Sequence, residues 1–100
     1  MTSVVPLSLR RVLWSKDIKS VDAARDRPYI VHQVLAFGTL NDLRELGRLY
    51  SSSVIRQTFI HDPIKIYTRS AYEFARKILG ISDRDAPVVR YDKALPRYIG

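Results

Sequence analysis

Six polar and basic side chains fall close together in the middle of the chain: Arg44, Arg48, Ser52, Ser53, Arg56 and Gln57. Arginine and glutamine bind base edges bidentately, and serine hydroxyls and guanidinium groups reach phosphate oxygens. The same set can meet the carboxylates of an acidic protein face. The chemistry open to it is therefore recognition. Bond-making chemistry has no comparable pattern. His32 and His61 have no nucleophile or carboxylate at triad-like spacing and read as structural or solvent-facing. No His-x-x-x-His pair or acidic cluster offers metal ligands, and four glycines are too few to suggest a phosphate loop. Asp22 and Asp26, beside Arg25 and Arg27, read as a solvated ion-pair face. The expectation is a non-enzymatic protein without metal or cofactor.

The elements that must position these residues occupy residues 39–60. Leu40, Leu43, Leu46, Gly47 and Tyr50 recur at three- and four-residue steps, which places them on one helical face, with Asn41, Arg44, Glu45 and Arg48 opposite. Thr39 and Asp42 have the spacing of a capping box, so this helix starts near Leu40. Ser51, Ser52 and Ser53 can cap a second helix whose inward residues are Val54, Ile55, Thr58 and Phe59. The result is a helical hairpin or a helix-turn-helix-like pair. In a DNA-binding helix-turn-helix the second helix enters the major groove by its N-terminal end, which here carries Ser52, Ser53, Arg56 and Gln57. The small residue and turn glycine usual in that motif are absent, with Leu46 and Tyr50 near those places.

Outside the pair, Leu9, Val12 and Leu13 suggest a short amphipathic turn, with Arg10 and Arg11 outward and Trp14 as a core plug. Pro28 suits the first turn of a helix ending at Gly38. Its expected buried stripe is Ile30, Val31, Val34, Leu35 and Phe37, with His32 and Gln33 facing out. Residues 61–67 read as an extended connector. Ser70 and Glu73 then suggest a capping box for a last helix with Phe74, Ala75, Ile78 and Leu79 inward and Gly80 as terminator. Beyond it, Pro87, Pro96 and mixed charges deny a helix, yet Val88, Val89, Tyr91, Leu95, Tyr98 and Ile99 are too apolar for a tail left in water.

The fold expected is all-α: a compact bundle of four to five short helices over residues 1–82, with an extended C-terminal arm over residues 83–100. The arm would lie on its own domain or on a partner, and Val89, Arg90, Tyr91 and Tyr98 are its candidate contacts. Among 100 residues, 17 lysines and arginines against 10 aspartates and glutamates leave a net charge of +7, which favours polyanions or an acidic protein face. The apolar runs are short, the first residues lack a signal peptide's basic start, and cysteine is absent. A soluble, cytoplasmic protein without membrane contact is expected.

Leu13-Trp14 followed by Asp17, the run from Val34 through Phe37-Gly38-Thr39-Leu40 to Asp42, Leu49-Tyr50 with Ile55, and Phe74 with Leu79-Gly80-Ile81 carry a resemblance. Over residues 13–81 the chain resembles a small family of prokaryotic helical proteins known only as a domain of unknown function. The family's pattern has an aromatic pair where this sequence has Phe74-Ala75. Members are often encoded beside nucleotidyltransferase-type toxins of the abortive-infection class, so the resemblance implies an antitoxin or accessory protein with no activity of its own. The expected function is to bind and neutralise a cognate toxin; the alternative is a helix-turn-helix transcriptional regulator. Expected partners are the toxin protein, with operator DNA and a second copy of the chain as further candidates, and no small-molecule substrate.

Overall fold

The computed structural model describes residues 5–14, 16–17 and 20–95. Four α-helices carry the fold: α1 (Arg27–Phe37), α2 (Leu40–Leu49), α3 (Ser52–His61) and α4 (Arg69–Leu79). Short 3-10 helices at Leu7–Leu9 and Val88–Arg90 flank them, and the described residues form no named strand. The protein is all-α, and among the described residues no helix is long and apolar enough to cross a membrane.

Helix α1 is the centre. It packs against α2, α3 and α4, while α2 also holds the first 3-10 helix, and α2 and α3 touch each other little. The pair expected from the sequence is thus assembled on α1 instead of on itself. Because neighbours surround α1, Ile30 to Leu35 are buried without a break, His32 and Gln33 included. Both polar side chains are satisfied by backbone carbonyls or a buried hydroxyl, as burial requires. Gln33 Nε2 donates to the Val12 carbonyl at 2.7 Å, which ties the N-terminal segment to the helix. His32 Nε2 lies 2.7 Å from the Asp62 carbonyl and Nδ1 lies 2.7 Å from the Tyr67 hydroxyl. A carbonyl can only accept, so Nε2 carries the hydrogen and Nδ1 accepts from Tyr67. Burial pushes the imidazole down to about 4, against the opposing pull of the Asp62 carbonyl.

The helix ends follow local chemistry. Thr39 and Asp42 form the reciprocal capping box of α2, and Asp42 also receives Arg11 Nη2 at 3.0 and 3.2 Å. A Cβ at Gly38 would sit 2.6 Å from the Val34 carbonyl, so α1 turns into α2 only through glycine. Ser51 caps α3 and Gly80, at φ 66°, ends α4 in the left-handed region. The N-cap of α4 is Thr68, whose hydroxyl accepts from the Ala71 N–H, and not Ser70. The buried face of α4 also differs: Tyr72 and Ala75 point inward, whereas Phe74 and Ile78 are exposed. Ala75 offers a small surface for close packing, and the Tyr72 hydroxyl finds the Ala86 carbonyl at 2.6 Å. Leu40, expected inward on α2, is exposed, and Leu46 is its buried anchor.

Residues 83–95 do not extend away. Tyr67 N–H donates to the Tyr91 carbonyl and Lys93 N–H to the Tyr67 carbonyl, a parallel bridge between the α3–α4 connector and the C-terminal segment. Lys65 Nζ donates to the carbonyls of Val89, Asp92 and Leu95, and Arg69 pairs with Asp92 at 3.2 Å. Tyr91 is fully buried, its ring stacked on Phe59 at 4.5 Å and its hydroxyl donating to the Phe59 carbonyl at 2.6 Å. Of the two surfaces expected for the arm, its own domain or a partner, its described part lies on its own domain and completes the core.

Candidate functional site

The six central candidates do not form one surface. Arg44 and Arg48 share a shallow cleft on the outer side of α2 with Arg11, Asn41 and Glu45, and Arg48 pairs with Glu45 at 3.1 Å. Ser53 and Gln57 lie elsewhere, in a hollow of about 210 Å³ with Arg27, Thr58, His61 and Asp62. Ser52 is exposed at the first turn of α3. Arg56 sits about a quarter-turn from Gln57 on α3, and its Nε donates at 3.0 Å to the Leu79 carbonyl at the end of α4. Its guanidinium thus helps satisfy a helix C-terminus.

The arm candidates separate too. Tyr91 is withdrawn from any surface because its ring fills the aromatic core and its hydroxyl is used inside. Val89 is half-buried and lends its carbonyl to Lys65, whereas Arg90 is exposed beside Lys65 on a cleft with Pro63 and Ile64. Tyr98 lies outside the described residues. Among the described residues no group of three or more His, Asp or Glu side chains converges as metal ligands would.

A second surface was misread from sequence. Trp14, expected in the core, is 58% exposed and packs edge-on against Phe37, which is 39% exposed, with ring centroids 4.8 Å apart. Leu40, 68% exposed, follows Phe37 across the Gly38 turn. Leu7, 70% exposed, stands on the 3-10 helix that packs on α2. Their neighbours in sequence, Leu13 beside Trp14 and Val34 and Leu35 on the helix of Phe37, are the residues that are buried. Arg11 pairs with Asp42 in the first turn of α2, and Arg44 lies one turn beyond the exposed Leu40 on the same helix. A scattered exposed leucine has no meaning of its own, but adjoining exposed aromatics do.

Arg27, expected on a solvated ion-pair face with Asp22, Arg25 and Asp26, is half-buried. It stands in the first turn of α1, the positive end of the helix dipole, where a cation is disfavoured. That misplacement was a readable signal.

Residues 8–59 match the family of unknown function DUF6922, a segment that runs from the first 3-10 helix to within α3. The chain belongs to this family. Trp14, Phe37, Leu40 and Arg27 lie inside the matched segment, whereas α4 and the C-terminal segment lie beyond it. The resemblance read through Phe74 and Leu79 thus extends past the matched residues. No curated protein and no solved structure matches the chain.

Proposed function

We propose that this DUF6922 protein is an antitoxin-like, non-enzymatic binding protein that neutralises a cognate toxin by docking its Trp14–Phe37 surface on it. One observation carries the reading: a tryptophan and a phenylalanine pack on each other while both stay exposed. Large aromatics are the residues that dominate binding energy when a partner desolvates them. The occupant that fits is an apolar protein face with acidic residues around it, because the exposed rings are apolar and the chain carries net charge +7. A nucleotidyltransferase-type toxin encoded next door is the partner the resemblance implies.

The transcriptional-regulator alternative draws less support. Arg56 is occupied by the Leu79 carbonyl, and Arg44 lines a different cleft from Ser53 and Gln57. The test is co-expression of the protein with the toxin encoded beside it. Trp14→Ser and Phe37→Ser together should abolish growth rescue and co-purification while the circular dichroism spectrum stays helical. Full rescue by a folded double variant rules the surface out.

A further inference from the structure

The hollow that holds Ser53 and Gln57 adjoins a second, of about 500 Å³, and the two share Arg27 and Val54 in their walls. They make one groove, running from the α2–α3 junction past the first turn of α1 to the end of α3. Its floor at the junction is apolar, with Leu49, Tyr50 and Val54, and Arg27 stands where the two halves meet.

Two polar atoms of the lining residues are unusual. Arg27 Nε and the Thr58 hydroxyl are buried without a hydrogen-bond partner, and Thr58 as a whole is only 2% exposed. A buried donor left unmade costs free energy, and native proteins keep few of them. Here both occur in one hollow, under a guanidinium whose position at a helix N-terminus is itself unfavourable. Asp62 is the one carboxylate among the described lining residues, against Arg27, Arg48 and His61.

We propose that this groove binds an extended acidic peptide segment, with a carboxylate seated on Arg27 and apolar side chains on the Leu49–Tyr50–Val54 floor. A carboxylate at Arg27 would form the charge-assisted, bidentate pair that arginine geometry favours. The apolar floor argues for peptide over duplex DNA, whose phosphates gain from exposed cations and not from an apolar concavity. Arg27 and Phe37 stand at opposite ends of α1, roughly 15 Å apart along its axis. The groove is therefore independent of the Trp14 surface, and either assignment can fail alone.

The test uses the full chain, labelled with nitrogen-15, and three probes: an acetylated, amidated hexapeptide of three Glu-Leu repeats, the same peptide with Gln for Glu, and a short DNA duplex. The Arg27 Nε–H resonance and the Ser53 and Gln57 amides should shift saturably with the acidic peptide and not with the neutral one. Arg27→Gln should weaken that binding by about tenfold or more, the scale of a lost charge-assisted bond. Thr58→Val provides an arm that does not depend on how Arg27→Gln folds. Removing an unsatisfied hydroxyl without changing shape should raise Tm while weakening the acidic peptide. Equal binding of both peptides, shifts at these resonances only with DNA, or a Thr58→Val protein that is less stable and binds as before would overturn the proposal.

Discussion

The protein contains two aromatic clusters with opposite fates. In one, Phe59, Tyr67 and Tyr91 surround His32 in the core and Tyr72 packs on Tyr91 behind them, with contacting ring centroids between 4.5 and 6.4 Å apart. The hydroxyls of Tyr67, Tyr72 and Tyr91 all have buried partners. In the other, Trp14 and Phe37 meet edge to edge and stay open to solvent. The residue types are alike; what differs is cover. The buried cluster is closed by the α3–α4 connector and the C-terminal segment, which bridge at Tyr67 and Asp92. No described element closes over the second. An aromatic ring is thus buried or left exposed according to which segment returns to cover it.

The comparison breaks most sharply if the cover is removed. Deleting residues 83–100 takes away Ala86 and Tyr91, both fully buried, and should destabilise the domain by at least the ~3–5 kcal/mol typical of a lost core aromatic. Chemical denaturation of the truncated chain measures it; an unchanged midpoint would mean that the C-terminal segment is not part of the core.

Next in size is acid. His32 is held neutral, its pKa pushed by burial from 6.5 to about 4. The unfolded chain therefore binds a proton that the folded one refuses, and stability is complete above pH 6.5 and falls as pH drops from 6.5 toward 4. The loss over that window should be about 3 kcal/mol. Below it a second loss begins. Asp26 is held well below the usual carboxylate range by hydrogen bonds from Arg25 and the Asp22 N–H, and Asp92 by the Ala94 N–H and Arg69. Both contribute stability above the ordinary carboxylate pKa that disappears as pH falls through and below it. In a His32→Gln variant the loss between pH 6.5 and 4.5 should vanish, which urea midpoints at each pH will report.

A smaller effect sharpens the account of the buried hydroxyls. Tyr91→Phe keeps the ring on Phe59 but leaves the Phe59 carbonyl without this donor, for an expected loss of about 1–2 kcal/mol. The smallest concerns the open cluster. Trp14→Ala should change stability by less than about 1 kcal/mol, as exposed positions usually do. Trp14 is the only tryptophan, so its fluorescence should be red-shifted and readily quenched by acrylamide in the isolated protein. A blue, shielded emission from the isolated protein would contradict its exposure.

Much of the candidate recognition chemistry was legible in residue type, but its grouping was not. Arg44, Ser53, Arg56 and Gln57 are all near one another in sequence, yet α2 and α3 each pack on α1, so Arg44 lines one cleft, Ser53 and Gln57 another, and Arg56 reaches the end of α4. Arg48 borders both the Arg44 cleft and the hollow adjoining Ser53 and Gln57. Arg27 joins Ser53 and Gln57 only because α1 and α3 pack together. The Trp14–Phe37 contact joins residues 23 positions apart, a pairing no local period encodes.

What the sequence determined by itself is the set of effects that act within one or two turns. Thr39 with Asp42 starts α2, Ser51 starts α3, Pro28 fits the first turn of α1, and Gly38 and Gly80 end two helices, because caps, φ restrictions and close backbone approach are local. The tertiary structure decided which faces are inside. A periodicity argument assumes that each helix has one neighbour and one wet side, and α1 has neighbours on several. His32 and Gln33 could enter the core only because Asp62, Tyr67 and Val12 arrive from 21 to 35 residues away to satisfy them. Burial of a polar group depends on partners that distant segments supply, and those come into being only when the chain has folded.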